Sequence, residues 1–312
     1  IRHNILSDGG MGYPEDGWSV RVDFQNFLEP VWLGGEIKYG KEPHSEPFLS
    51  DDNKWSILDK GEPEPFAGIN AEVIKYYEHF QDTKRSFTYK GIPLNFIDMP
   101  FNMTGTDGQF TNACSIRGTE NFIVDMLEDP QYAHQLLAFI TRASINRIKA
   151  TRKYLGIDSK DIGFGFADDS IVLLSLGMFK EFVLPYHKLI FDELSNGIEG
   201  RSMHLCGDAQ RFFPLLFKEL NVKSFDTGFP INFETLYDEL SPEVTILGGP
   251  STKLIRYGTY EEVKDETKRI LQSGVMEKSV AFILREGNAL APGTPIHNVN
   301  AVYQAAEKFG NY

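Results

Sequence analysis

Three features of the 312-residue sequence predict an α/β protein of the (β/α)8, or TIM, barrel class. From about residue 90 onward, strand-like and helix-like patterns alternate, as βαβ units of a parallel sheet do. Polar groups stand at the C-terminal ends of those strand patterns, where barrels keep their chemistry. No G-x-G-x-x-G and no G-x-x-x-x-G-K-[ST] opens a helix after a strand, and Gly163-Phe164-Gly165 lies inside a strand pattern, so nucleotide-phosphate binding has no support. The expectation is a single barrel domain over residues 1–312, with a loop-rich segment over 1–65 covering or joining it.

Residues 1–65 are rich in Gly, Pro, Asp and Trp with little periodicity, which predicts long loops or a cap. Strand patterns follow at 93–99, 162–167, 201–206, 222–226, 244–248 and 279–285, each a short apolar run of strand length. Between the first two, Asp129 and Pro130 open a long helix: Asp supplies a capping oxygen, and Pro at the first helical position forfeits no hydrogen bond. Its apolar positions are Ala133, Leu137, Ile140 and Ile148. Further on, Thr259 and Glu262 form a capping-box pattern ahead of Val263, Ile270 and Leu271, and Gly274 stops that helix.

Composition narrows the function classes. Hydrophobic residues at 41% and charged residues at 24% are those of a soluble globular protein. Apolar stretches such as 171–176 and 280–284 are too short to cross a bilayer, and no basic-then-apolar leader opens the chain, so no membrane partner and a cytoplasmic location are expected. Ile1 is not an initiator methionine, and some preceding sequence is expected. A formal charge of −13 without a basic, aromatic-interleaved cluster excludes a nucleic-acid partner. Cys114 and Cys206 are the two cysteines, too few for a disulfide framework, so Cys206 is read as a reduced thiol.

His204-Leu205-Cys206-Gly207 closes the run Arg201-Ser202-Met203 with two soft-metal ligands and a strand-breaking glycine. Strand side chains alternate, so the imidazole and thiolate point the same way and can converge on one ion. The plainer alternative is a histidine and a free cysteine satisfied in the core. Asp226, at the end of the next strand pattern, is placed to complete the metal set; Glu286 and Cys114 are weaker ligand candidates. Asp168 and Asp169 offer a carboxylate pair for proton handling or substrate orientation, against the simpler role of capping a turn. Asp98, Phe101 and Phe166, at or beside strand ends, are the candidate substrate-contacting residues, whereas His134, His187 and His297 lie on helical patterns and are read as surface or packing residues.

The run Met203 to Gly207, Ile246-Leu247-Gly248-Gly249-Pro250, Gly258 to Val263 and Gly287-Asn288-Ala289-Leu290-Ala291-Pro292-Gly293-Thr294-Pro295 together resemble the uroporphyrinogen decarboxylase superfamily. The segment from Met99-Pro100-Phe101 to Arg117-Gly118 and the Leu184-Pro185-Tyr186 stretch are similar too, and the resemblance spans residues 90–310. It implies a TIM barrel and one of two chemistries, cofactor-free tetrapyrrole decarboxylation or zinc-dependent methyl transfer to or from a corrinoid protein. The His-x-Cys pair belongs to the methyltransferase branch, whose pattern puts a third ligand, Cys, in the Gly-x-x-x-x-Pro loop; here Asn288 takes that position and joins the catalytic candidates. The decarboxylase branch implies an Arg-rich N-terminal loop, and residues 1–40 hold only Arg2 and Arg21. The resemblance therefore implies zinc, a small-molecule methyl donor such as a methoxy-aromatic compound or a thiol, and cobalamin on a separate corrinoid protein, since no Asp-x-His-x-x-Gly signature occurs in the chain. A decarboxylase, or a metal-free barrel that binds a small ligand, are the alternatives.

Overall fold

A computed structural model describes residues 17–275 and 281–310, apart from the Tyr237 side chain, and reveals a mixed α/β protein. Arg2, the first 16 residues of the loop-rich segment, and Ser279 and Val280 of the last strand pattern lie outside the described residues. The chain divides into two compact units, Pro14–Gly197 and one carried by Ile198–Tyr312. Among the described residues no helix is long and apolar enough to cross a membrane.

In the N-terminal unit, β1 (Trp18–Arg21) pairs in parallel with β2 (Ile92–Asp98), placing Arg21 beside Asp98, and the two-residue strand Thr88–Tyr89 folds back antiparallel on the other edge. The sequence reading missed β1, whose four residues bury only one face in part and carry no long apolar run. Also missed were α1 (Leu28–Trp32) and α2 (Ile69–Thr83), because Pro30 interrupts the first and the second sets Glu, Lys, His, Gln and Asp among few aliphatic residues. After α3 (Gln109–Arg117) and α4 (Thr119–Glu128), α5 (Pro130–Leu155) is the unit's long core helix. Asp129 accepts from the Tyr132 backbone N–H, as the Asp-Pro signal predicts, and Gly156 ends the helix in the left-handed region at φ 71°. Ala133, Leu137, Ile140 and Ile148 are all fully buried along one stripe. The strand pattern at 162–167 contracts to β3 (Gly165–Ala167), since Ile162 is exposed and Gly163 offers nothing to pack. The short α6 (Leu184–Leu194) buries His187, Ile190 and Phe191.

The C-terminal unit holds four parallel strands in chain order, β4 (Ser202–Leu205), β5 (Ser224–Thr227), β6 (Thr245–Gly248) and β7 (Ala281–Leu284). Their register is unbroken: His204 pairs with Asp226, Asp226 with Leu247, and Leu247 with Ile283. Buried Met203, Leu205, Phe225 and Ile246 alternate with half-buried polar residues, so one face of this sheet packs and the other is free for chemistry. The capping box at Thr259 and Glu262 starts α7 (Tyr260–Ile270), with both reciprocal bonds formed. α7 and α8 (Ile296–Phe309) close over a core of Ile255, Val263, Ala301 and Val302.

Candidate active site

β4 presents His204 on its free face, and Cys206 follows one residue past the strand on the same side. His204 Nε2 lies 3.0 Å from Cys206 Sγ, so the two soft donors converge as the alternation predicts. The close approach of strands makes the placement possible: a Cβ at Gly228 would come within 2.7 Å of the Cys206 Cα and of the Gly207 nitrogen. Only glycine lets the loop after β5 pass so near the thiol-bearing backbone.

Asp226, in register with His204, places Oδ2 3.0 Å from the imidazole Nδ1, a charge contact without the alignment of a full hydrogen bond. The same oxygen accepts from Arg285 Nη1 at 2.8 Å. The sequence reading takes Asp226 as a metal ligand; here it contacts His204 and Arg285. Its carboxylate faces the far ring nitrogen, where a carboxylate orients the imidazole and raises the basicity of the nitrogen aimed at the metal. Glu286 sits 3.9 Å from Arg285 Nη2, and among the described residues neither Glu286 nor Asp226 forms, with His204 and Cys206, a set of ligand atoms all within 4.8 Å.

Asn288 reaches the thiol differently from the cysteine it replaces in the resemblance. Its Oδ1 accepts from the Ala289 N–H at 2.6 Å, which turns the amide so that Nδ2 donates to Cys206 Sγ at 2.8 Å. The side chain thus gives the sulfur a hydrogen bond rather than giving a metal a lone pair.

The remaining candidates lie in the N-terminal unit. Asp168 is fully buried, and its two oxygens accept from the Phe110 and Thr111 N–H groups, the Thr111 hydroxyl and His187 Nε2 at 2.8–3.2 Å. That arrangement ties the start of α3 to α6, and it corrects the catalytic reading: no lone pair is left for substrate. His187 is the buried packing partner in this pair. Phe166 is likewise corrected from substrate contact to core, since its buried ring packs on His187 and Phe191 at 4.9 and 5.1 Å. Asp98 accepts from the Ser19 hydroxyl, Phe101 is exposed, and Asp169 is half-buried at the turn after β3. Cys114 is buried, and burial followed by the nearby Asp168 charge pushes its thiol up to about 12.

Sequence reasoning missed Arg285. The signal was present, a lone basic residue ending an apolar strand pattern, but a search for acids and metal ligands at strand ends passes over it.

With this geometry in place, comparison with known proteins adds the following. Residues 103–309 match the family model described as uroporphyrinogen decarboxylase (URO-D). The chain is 26% identical over 201 residues, 64% of its length, to a protein named methylated-thiol–coenzyme M methyltransferase from Methanosarcina mazei, covering 51% of that protein. It is 22% identical over 140 residues, 45% of its length, to a methylcobamide:CoM methyltransferase from Methanosarcina acetivorans, covering 39% of it. The chain thus spans about half, or less, of the length of these curated relatives. A solved methyltransferase from Methanosarcina mazei has a similar fold, with a TM-score of 0.67 at 19% identity over 94% of this chain and 81% of that one.

Proposed function

The chain belongs to the uroporphyrinogen decarboxylase (URO-D) family, and from that premise we propose that it is a methyltransferase moving a methyl group between a small methylated substrate and a separate corrinoid protein. The observation that carries this reading is the convergence of His204 Nε2 and Cys206 Sγ at 3.0 Å, with Asp226 on the far ring nitrogen. The names of the methyltransferase relatives favour the same chemistry. The finer reading of the fold, one (β/α)8 barrel over 1–312, belongs to this proposal and is supported by the parallel, in-order strands β4 to β7 and by the likeness to a solved methyltransferase.

A zinc ion fits the donor set, with an imidazole nitrogen and a cysteine sulfur aimed at one point and a carboxylate behind the imidazole. His204 and Cys206 would be two of its ligands. When bound, zinc supplies Lewis acidity at the heteroatom that gives up or receives the methyl group. The protein's own residues do the rest. Arg285 holds the Asp226 carboxylate in place, Asp226 fixes the imidazole so that Nε2 stays turned to the sulfur, and the Asn288 amide donates a hydrogen bond to that sulfur. An amide in place of a thiolate ligand leaves less negative charge on the ion, which suits an oxygen-bearing methyl donor such as a methoxy-aromatic compound better than activation of a thiol.

The test is twofold. Protein purified under anaerobic, reducing conditions should carry about one zinc per chain, lost in His204→Ala. With reduced corrinoid protein, the wild type should demethylate members of a panel of methoxylated aromatics and methylated thiols, and His204→Ala should not. Equal turnover by both, or carbon dioxide released from a carboxylated tetrapyrrole by the wild type, would replace methyl transfer with another reading.

A further inference from the structure

Within the C-terminal unit, residues of β7, of α8 and of the loop joining them line an apolar cavity of about 430 Å³. Small-molecule sites have volumes of roughly 300–1,000 Å³ and apolar walls with a few polar groups at one end. One wall here is fixed by packing, since Leu284 and Val302 rest in the core around Ile255. Another is open. Ile283 stands in the same register row as His204, Asp226 and Leu247, on the free face of the sheet, and is 49% exposed; Leu290 is 38% exposed. These two leave aliphatic surface uncovered, and Tyr303 adds an aromatic ring beside them.

The polar end consists of Arg285 and Glu286. Arg285 Nη1 donates to Asp226 Oδ2, while Nη2 lies 3.9 Å from Glu286 Oε1, beyond hydrogen-bond reach. Among the described residues nothing donates a hydrogen bond to the Glu286 carboxylate. A hydroxyl both donates and accepts, so one ligand hydroxyl can give to Glu286 and receive from Arg285 Nη2. Charge decides against an acid. Asp226 and Glu286 together outweigh the single guanidinium, and a ligand carboxylate would meet like charge that an uncharged ligand does not.

We propose that this cavity binds an uncharged aromatic compound of roughly one or two rings that carries a hydroxyl, its ring against Ile283, Leu290 and Tyr303 and its hydroxyl between Glu286 and Arg285. The inference goes beyond the methyl-transfer reading and does not depend on it. The loop that supplies Arg285, Glu286 and Leu290 to the cavity also sets Asn288 Nδ2 2.8 Å from Cys206 Sγ. A ligand seated there contacts the loop that serves the candidate active site.

The experiment uses the whole chain, without corrinoid protein or methyl donor. Calorimetric titration with naphthol, methylnaphthalene and naphthoate separates the hydroxyl, the bare ring and the acid. The wild type should bind naphthol, bind methylnaphthalene about tenfold more weakly, and bind naphthoate more weakly than naphthol. Glu286→Ala should weaken naphthol about tenfold and leave methylnaphthalene unchanged. Ala306→Trp, which fills the cavity from α8, should abolish binding of both. In amide NMR spectra, naphthol should shift the signals of residues 285–290.

A wild type that does not bind naphthol, as when another part of the chain fills the cavity, overturns the proposal. So does naphthoate binding more tightly than naphthol, naphthol affinity unchanged in Glu286→Ala, or binding retained in a folded Ala306→Trp. Should Ala306→Trp fail to fold, Glu286→Ala at its part-exposed position still decides. Failure of methyl transfer in the demethylation assay leaves each of these binding results as it stands, so the two readings fail separately.

Discussion

At Cys206 two neighbours act on the sulfur, the His204 imidazole at 3.0 Å and the Asn288 amide at 2.8 Å, while Gly228 lets the next loop pass close to the cysteine's backbone. A hydroxyl in place of the thiolate loses the soft donor while leaving the strand intact, so Cys206→Ser should weaken zinc binding sharply with an unchanged melting temperature for the metal-free protein. Competition against a colorimetric chelator measures the first, calorimetry the second, and full zinc retention would remove the thiolate from the site. Asn288→Cys is the converse case. It replaces a hydrogen-bond donor with a ligand, and should raise zinc affinity and add thiolate-to-metal absorption in the cobalt-substituted protein. No gain in either would mean that the loop holds position 288 out of ligand reach.

Helices and strands set where these side chains stand. α5 fixes the N-terminal unit through one apolar stripe, and Leu137, fully buried at its middle, should cost about 2–5 kcal/mol as Leu137→Ala, read from chemical denaturation. A loss under about 1 kcal/mol would mean that the helix relaxes into the vacated space. The strand ends are less forgiving. Gly228→Ala must push the loop after β5 away from Cys206, so zinc affinity should fall although residue 228 holds no ligand. Unchanged affinity would show that the loop shifts without moving the thiol. Element starts were readable locally, because Asp129-Pro130 and Thr259 with Glu262 satisfy helix ends with their own side chains. β1 and α2 were not, since neither carries a strong local pattern and each is held by neighbours distant in sequence, β1 by β2 and α2 by α1 and β2.

For the molecule as a whole, the Asp107 carboxyl links proton binding to stability. Burial first, and the Glu29 charge next, raise its pKa from 3.8 to about 7 on folding, so the folded chain binds the proton more tightly than the unfolded one between those values. The stability it contributes is complete below the unfolded value and is lost as pH rises through about 7. Melting temperature should therefore decline more between mildly acidic and mildly alkaline pH in the wild type than in Asp107→Asn; parallel curves would place the Asp107 carboxyl in the ordinary range. The sequence by itself determined the alternation of strands and helices, the capped helix starts and the His-x-Cys pair, because each depends on residues within a few positions of one another. Tertiary structure alone decided the roles of the acids. Asp168 became a buried clamp on α3, Asp226 a brace for His204 tied to Arg285 59 residues away, and Asp107 the proton-holding partner of Glu29. A carboxylate's chemistry is set by the donors and charges around it, and those arrive from other strands and helices through register and packing that no local pattern encodes.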